Sequence, residues 1–376
     1  MPSLNTAFAQ LNHLIRQPEQ AADPLQAFDA ADEYLLQALH EQGVNPQTRL
    51  LILNDSFGAL ACSLAGYCAV TSSGDSHLAH LALNKNLLAH GHAQDLVRFV
   101  PASQPCDGPF NWVLIRIPKT LALLEEQLIR LQGQLAPHAK VVAGAMIKHL
   151  PRRAGDLLAQ YIGPVQASLA VKKARLLWAT PEAKPQAQSP YPSRYRLDQP
   201  EIWLSNHASL FSREGLDIGT RAFLPHLPKT QEALRVADLG CGNGVLGICY
   251  ALANPKAQMT LVDESYMAVQ SAQENWQAVL GERPVQIRAE DGLSQQAPES
   301  LDQVLCNPPF HQQQAVGDFL AWRMFCQAHR ALRPRGSLWI VGNRHLGYHL
   351  KLKRLFARVE QVAATPKFVI LCALKA

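Results

Sequence analysis

The sequence has little charge, few aromatic residues and no long apolar run. Of its 376 residues, 17% are charged and 7% aromatic, whereas 48% are hydrophobic. This composition is typical of globular chains with sizeable cores and does not favour disorder. No apolar stretch is long enough to span a membrane, and residues 1–20 lack the apolar segment of a secretory signal. We therefore expect a soluble, cytoplasmic protein of two ordinary domains.

The eight cysteines form no CxxC pair and no cluster with histidines at metal-ligand spacing. Several of them lie in apolar, strand-like segments, where cysteine behaves as a small hydrophobic residue. We therefore expect reduced thiols, an intracellular compartment and no metal site. The net charge of +5 is compatible with an anionic partner such as nucleic acid, but many unrelated enzymes share it. The sequence does not indicate an oligomeric state.

A proline-rich stretch divides the chain. Residues 181–200 contain five prolines, which exclude a continuous helix or a central strand and predict an extended connector. The predicted domains are therefore 1–180 and 201–376, with the linker 181–200 between them. On both sides, apolar strand-like segments alternate with helical ones, which is typical of parallel α/β architecture.

The two halves follow a similar plan. In the second half, strands are predicted at 235–239, 259–262, 285–288, 303–306, 337–341 and 367–373. In the first half they are predicted at 50–53, 71–75, 112–117, 140–145 and 168–178. We predict two tandem Rossmann-like α/β domains that arose by duplication; convergent α/β patterning is the alternative. The first copy lacks the glycines and the Asn-Pro-Pro of the second, so it is predicted to be degenerate.

A glycine-rich turn follows the strand at 235–239 and precedes a helix. Its residues are Asp238, Gly240, Cys241, Gly242, Asn243 and Gly244. Glycines allow a tight turn and a close approach of backbone to ligand, although such a run alone can be a simple turn. An acid just before the glycines repels a pyrophosphate but suits the cationic methionine end of S-adenosylmethionine. The turn therefore favours S-adenosylmethionine over a dinucleotide.

Two further acids end neighbouring strands. Asp263 ends the strand after the glycine turn, where a carboxylate can accept both hydroxyls of a ribose. A helix N-cap before Ser265 is the alternative reading of Asp263. Asp291 follows the third strand and is placed to receive an adenine amino group, but an Asx turn before Gly292 explains it equally well.

The run Asn307-Pro308-Pro309-Phe310 ends the fourth strand of the second half. Ligands of an open parallel sheet lie beyond the carboxyl ends of its strands. The Asn307 side-chain oxygen and the Pro308 carbonyl can both accept hydrogen bonds from one planar amino group, and Phe310 can stack on the substrate. The motif therefore predicts methyl transfer to an amino nitrogen conjugated with a π system.

These residues resemble the class I methyltransferases with an Asn-Pro-Pro-Phe motif, which act on adenine N6, on glutamine N5 of release factors or on guanine N2 of ribosomal RNA. Segments 211–219, 262–265, 307–312 and 343–346 look like the bacterial ribosomal RNA guanine-N2 family. Segments 30–36, 51–60 and 118–125 look like its large-subunit, 23S branch. The resemblance covers nearly the whole chain and is weakest over 181–199 and 281–300.

The resemblance implies N2 methylation of a guanine in 23S ribosomal RNA by the second domain, with S-adenosylmethionine as methyl donor. Three basic clusters, at 148–153, 172–175 and 351–354, are able to contact phosphates, although each is also a common kind of solvated surface. Adenine-N6 or glutamine-N5 methylation remains an alternative. A non-catalytic ribosomal RNA-binding assembly factor is another.

Overall fold

The computed structural model describes residues 11–19, 25–309 and 314–376, without the side chains of 314–318. The chain forms two compact units, Met1–Pro190 and Tyr191–Ala376. The division therefore lies inside the predicted connector 181–200. The connector is not one extended segment: Lys184 Nζ donates to the Ala159 carbonyl of the first unit at 2.8 Å, and Ser193–Asp198 is a strand of the second.

The first unit is built on a seven-stranded sheet with the order β3-β2-β1-β4-β5-β7-β6. Its strands are β1 Arg49–Leu53, β2 Ala69–Gly74, β3 Val97–Pro101, β4 Phe110–Arg116, β5 Leu135–Met146, β6 Val165–Ala167 and β7 Ala174–Ala179. Its helices are α1 Ala30–Glu41, α2 Ala59–Leu64, α3 His77–Ala89, α4 Leu121–Leu131 and α5 Arg152–Tyr161.

The second unit begins with a two-stranded hairpin and continues as a seven-stranded sheet of order β12-β11-β10-β13-β14-β16-β15. Its strands are β8 Ser193–Asp198, β9 Glu201–Asn206, β10 Arg235–Leu239, β11 Gln258–Asp263, β12 Val285–Ala289, β13 Leu301–Cys306, β14 Leu332–Asn343, β15 Arg358–Ala364 and β16 Phe368–Leu374. Its helices are α6 Ile218–Phe223, α7 Val245–Ala253, α8 Tyr266–Leu280, α9 Gln314–Ala331 and α10 Tyr348–Leu352.

The two large sheets have the same topology. In each, the first strand of the sheet lies third from one edge, five consecutive strands are parallel, and the last two strands pair antiparallel at the opposite edge. This repetition confirms the prediction of two tandem Rossmann-like α/β domains. In both units the chain reverses strand order between the first and fourth strands, so that the carboxyl ends of β10 and β13 border the crevice where such folds bind ligands.

Both faces of the second sheet are covered, which explains why its strands read as continuous apolar runs. Side chains alternate along β13: Leu305 packs in a core with Phe223 of α6, whereas Val304 packs in a second core with Phe325 of α9. The strand β14 alternates in the same way, with Val341 on the α6 side and Ile340 on the α9 side. This alternation decides which strand-end residues face one another.

One predicted strand was wrong. Residues 168–178 are not one continuous strand, because β7 begins only at Ala174. Lys172 and Lys173, just before it, adopt left-handed φ angles of 46° and 65°, which break an extended strand. Five strands were not predicted at all: β3, β6, β8, β9 and β15. In the described ranges, no helix is long and apolar enough to cross a membrane.

Candidate active site

The glycine turn between β10 and α7 has a backbone that only glycine adopts easily. The φ angles of Gly240, Gly242 and Gly244 are 75°, 55° and 81°, all in the left-handed region. A Cβ on Gly244 would stand 3.1 Å from the Ala272 side chain, so the turn packs closely against α8. Cys241 lies within this turn and is buried, and burial raises the pKa of its thiol far above the ordinary value. The thiol is therefore neutral.

Asp263, at the end of β11, ties the glycine turn to the neighbouring strand. Its Oδ2 accepts from the Gly242 N–H at 2.9 Å and its Oδ1 from the Ser265 N–H at 2.9 Å. The first bond joins the two strand ends, and the second is an Asx-type contact with the residue two positions on. The N-cap of α8 is Ser265, whose side chain accepts from the Ala268 N–H, so the N-cap reading of Asp263 is wrong. Burial raises the pKa of Asp263, although these N–H donors oppose the rise. The carboxylate lies directly beside the turn.

Asp238 faces into the fold. It is only 1% exposed, and its Oδ2 accepts from the Gly247 N–H in the first turn of α7 at 2.8 Å. Burial, assisted by the charge of Asp263, raises the pKa of Asp238 to about 7. Its carboxylate therefore serves the N-terminus of α7 and acts on a ligand in the turn only through the electrostatic field.

Asn243 connects the turn to the hairpin that precedes the sheet. Its Nδ2 donates to Tyr195 Oη at 3.1 Å and to Asn206 Oδ1 at 2.9 Å, and its Oδ1 accepts from the Val245 N–H. The side chain is thus fully engaged within the protein. The predicted cofactor contact of Asn243 is therefore not one that its side chain is free to make.

Asp291 follows β12 and forms a two-pronged ion pair. Both of its carboxylate oxygens bind the guanidinium of Arg323 on α9, and its backbone carbonyl accepts from Gln327 Nε2 at 3.0 Å. The side chain makes this pair and not the Asx turn that the sequence allowed. A carboxylate has about four lone-pair positions, so the pair leaves acceptor capacity for a further donor.

Asn307 follows β13 and is held by residues from the start of α6. Its Nδ2 donates to Asp217 Oδ2 at 3.0 Å and to Thr220 Oγ1 at 2.9 Å. Because an ionised carboxylate only accepts, Asp217 fixes which end of the amide turns towards it. The opposite end, Oδ1, is buried and accepts no hydrogen bond from the described part of the chain. A buried acceptor without a donor costs about 1–3 kcal/mol, so a ligand group is the natural partner.

Pro308 is buried and Pro309 is exposed directly after Asn307. Phe310, to which the sequence assigned base stacking, lies outside the described residues. The sequence also missed two contributors to the site. Asp217 and Thr220 lie about 90 residues before Asn307 along the chain. The family-like segment 211–219 includes Asp217 and ends one residue before Thr220.

The first unit fills the equivalent place with an ion pair. The pairings Leu53–Ile115 in the first sheet and Leu239–Cys306 in the second make Arg116 the counterpart of Asn307. Both Arg116 amino groups bind Asp29 at 2.9 Å, and Asp29 is the N-cap of α1, just as Asp217 is the N-cap of α6. In the first unit, the Arg116 guanidinium, neutralised by Asp29, therefore stands where the second unit has the acceptor Asn307 Oδ1.

Comparisons with known proteins give a separate family model for each half of the chain. The RLMG N-terminal domain model matches residues 1–183, and the methyltransferase small domain model matches residues 201–372. A T. thermophilus 16S rRNA N2 methyltransferase, RsmC, solved in complex with AdoMet and guanosine, has a similar fold, with a TM-score of 0.75 and 20% identity over 93% of this chain and 92% of that one.

Three curated relatives carry the name ribosomal RNA large subunit methyltransferase G. The protein of Stutzerimonas stutzeri is 74% identical and that of Ectopseudomonas mendocina 72% identical, each over 100% of both chains. The protein of Pseudomonas aeruginosa is 71% identical over 99% of both. With two matching family models and full-length relatives at this identity, the chain belongs to the ribosomal RNA large subunit methyltransferase G family.

Proposed function

We propose that this protein transfers a methyl group from S-adenosylmethionine to the exocyclic N2 of a guanine in 23S ribosomal RNA. Family membership supports a large-subunit ribosomal RNA substrate. The chemistry rests on one observation: Asn307 presents a buried, unpaired Oδ1 at the carboxyl edge of the sheet, with its Nδ2 fixed by Asp217 and Thr220. We assign catalysis to Asn307 and Pro308, which share one sequence motif with Pro309 and Phe310.

The residues around the glycine turn fit a bound S-adenosylmethionine. The backbone of the turn has positive φ at Gly240, Gly242 and Gly244. At Gly242 a Cβ would meet no atom within 4 Å, so a ligand can approach the backbone closely there. The Asp263 carboxylate beside it suits ribose hydroxyls, and Asp291 has acceptor capacity for an adenine amino group. The bound group supplies an electrophilic methyl on a sulfonium. The protein supplies the position from which an amine meets that methyl in line.

Asn307 and Pro308 act on the amine. The exocyclic nitrogen of guanine is a poor nucleophile because its lone pair is delocalised into the ring. Two carbonyl acceptors, Asn307 Oδ1 and the Pro308 carbonyl, draw the two amino protons aside and stabilise the positive charge that develops as the N–C bond forms and the S–C bond breaks. The nitrogen then releases one proton to restore its neutral form. Since Asp217 holds the amide of Asn307, this acceptor is oriented before substrate binds.

The cluster 351–354 is the basic cluster that lies in the same unit as the candidate site. Lys351 and Arg354 line an open cavity of about 280 Å³ with Phe319 and Trp322 of α9. The guanidinium carbon of Arg354 lies 4.9 Å from the centroid of the Trp322 ring. Aromatic rings stack on unpaired bases and cations bind phosphates, so we assign this cavity to single-stranded RNA next to the target guanine.

The other two clusters lie in the first unit. Lys172, in the cluster 172–175, pairs with Glu33 at 2.9 Å, and Arg152 and Arg153, in the cluster 148–153, lie exposed in the first unit. All eight cysteines are unpaired, as suits an enzyme of the reducing cytoplasm, where ribosomal RNA is made.

The proposal is tested by incubating the purified protein with S-adenosylmethionine and 23S ribosomal RNA from cells without the protein. We expect N2-methylguanosine among the digested nucleosides. N6-methyladenosine would assign the enzyme to adenine instead, and methylated glutamine in a release factor would assign it to protein. Absence of S-adenosylmethionine binding by calorimetry would contradict an enzyme and favour an assembly factor.

A further inference from the structure

A second buried asparagine ends the strand next to that of Asn307. Asn343 is the last residue of β14 and is 8% exposed. Its Oδ1 is buried and, within the described residues, no group donates a hydrogen bond to it. A polar atom in that state destabilises the fold by about 1–3 kcal/mol. Such an atom in a native structure calls for an explanation by strain, an unseen partner or function.

The register of the sheet puts Asn343 on the same face as Asn307. Cys306 pairs with Ile340, so Asn307 continues opposite Val341, and Asn343 follows two residues later. Near the carboxyl ends of both strands the odd-numbered residues face α6, since Leu305 and Val341 share a core with Phe223. From strand spacing and rise, the Cα atoms of the two asparagines are roughly 8 Å apart. Both buried acceptors therefore border the same crevice.

The fold itself does not require an asparagine there. The strand β5 of the first unit corresponds to β14, and its pairing of Ile115 with Ala143 matches that of Cys306 with Ile340. Counting along the two 12-residue strands makes Met146 the counterpart of Asn343. Where the catalytic acceptor has been lost, the same position holds an apolar residue. The shared fold therefore does not require asparagine at this position, and Asn343 occurs in the unit that also carries Asn307.

We propose that Asn343 reads the target base by accepting a hydrogen bond from guanine N1–H. This inference rests on the proposed function. Guanine presents two donors side by side on its Watson–Crick edge, N1–H and the N2 amino group, and enzymes that extrude a base read that edge. Asn307 and Pro308 take the amino protons, which leaves N1–H facing the next strand. Adenine carries no hydrogen on N1.

The contact explains discrimination between bases. A site built around a donor rejects an analogue that lacks it, because the acceptor of the protein then stays unpaired. With adenine, Asn343 Oδ1 would remain buried without a hydrogen-bond donor. Asn343 is therefore a specificity-determining residue, distinct from the acceptors that activate the amine.

The test uses the residue of the first unit as the substitution, Asn343→Met. Two RNA transcripts carry the target nucleotide either as guanine or as 2-aminopurine, which keeps the N2 amino group but has no N1–H. For the wild-type enzyme we expect kcat/KM to be about 10- to 100-fold higher on guanine. In Asn343→Met that preference should collapse to within about threefold, through loss on guanine and little change on 2-aminopurine. The free energy of unfolding of Asn343→Met should equal or slightly exceed that of the wild type, and its affinity for S-adenosylmethionine should be unchanged.

The possible outcomes separate a failure of the role of Asn343 from a failure of the proposed function. An equal loss on both transcripts, or no loss on either, would overturn the role of Asn343 while leaving the proposed function in place. Asn343→Asp keeps an acceptor oxygen and should retain most of the preference, which a purely structural role does not predict. If the wild-type enzyme methylates neither transcript at N2, the proposed function itself fails and the role of Asn343 with it.

Discussion

In both units a buried carboxylate caps the helix that follows the first strand of the large sheet. Asp238 lies within that strand, whereas Asp55 follows it by two residues. Asp238 Oδ2 accepts from Gly247, and Asp55 Oδ2 accepts from Ala61 at 2.9 Å; each donor is the third residue of its helix. Burial raises the pKa of both carboxyls to about 7. The helix terminus explains the carboxylate in the first unit without a ligand, so a cofactor role for Asp238 requires a separate test.

Asp238→Asn and Asp55→Asn form that test as a matched pair. A carboxyl with a raised pKa in the folded state keeps its proton there after the unfolded chain has lost it. Stability therefore falls as the pH rises from about 4 to about 7. Either amide should flatten that decline in denaturant titrations. Only Asp238→Asn should weaken S-adenosylmethionine binding, by about tenfold or ~1.4 kcal/mol. Equal affinity in both variants would reduce Asp238 to a helix cap.

Thr220 provides a residue-scale test of how Asn307 is held. Thr220→Val removes the hydroxyl that accepts from Asn307 Nδ2 at 2.9 Å but keeps the shape of the side chain. We expect kcat to fall about 10-fold with little change in KM, because the acceptor loses orientation in the transition state. Thr220→Ser keeps the hydroxyl and should be nearly as active as wild type. Equal activity of the valine and serine variants would contradict the positioning role.

At the scale of elements, α9 and α10 form the cavity assigned to RNA. Arg354→Gln should lower RNA affinity about 3- to 10-fold and reduce the salt dependence of binding by about one ion, because one phosphate contact is lost. Arg358→Gln removes an equally exposed charge that pairs with Glu360 on β15, and it serves as the matched control. A similar loss in both variants would point to net charge and not to this cavity.

Sequence reasoning succeeded where one element carries its own signal. The glycine turn, Asp263 at a strand end and the Asn-Pro-Pro run are each local. The alternation of strands and helices predicted most strands of both sheets but missed the edge strands β3, β6 and β15. It failed where function depends on distant contacts. Asp217 and Thr220 begin a helix of six residues with no periodic pattern, and the pairing of Asp291 with Arg323 joins segments 32 residues apart.

At the scale of the whole molecule, one unit of the duplicated fold has exchanged its site for an ion pair. Arg116 bound to Asp29 occupies the place of Asn307, and Asn54 to Gly58 replaces the glycine turn. We therefore expect one molecule of S-adenosylmethionine to bind per chain by titration calorimetry. A substitution at Asp263 that abolishes this binding should leave no second S-adenosylmethionine site on the chain. A stoichiometry of two would contradict the loss of the first site.

The most direct measurement compares Asn307→Ala with the wild-type protein in two assays, methyl transfer to 23S ribosomal RNA and S-adenosylmethionine binding. The variant removes the unpaired Oδ1 and leaves the glycine turn and Asp263 untouched. We predict at least a 100-fold loss of N2-methylguanosine formation, since such acceptors and donors are worth about 10²–10³ in rate, with cofactor affinity within about threefold of wild type. Retained turnover in Asn307→Ala would contradict the account.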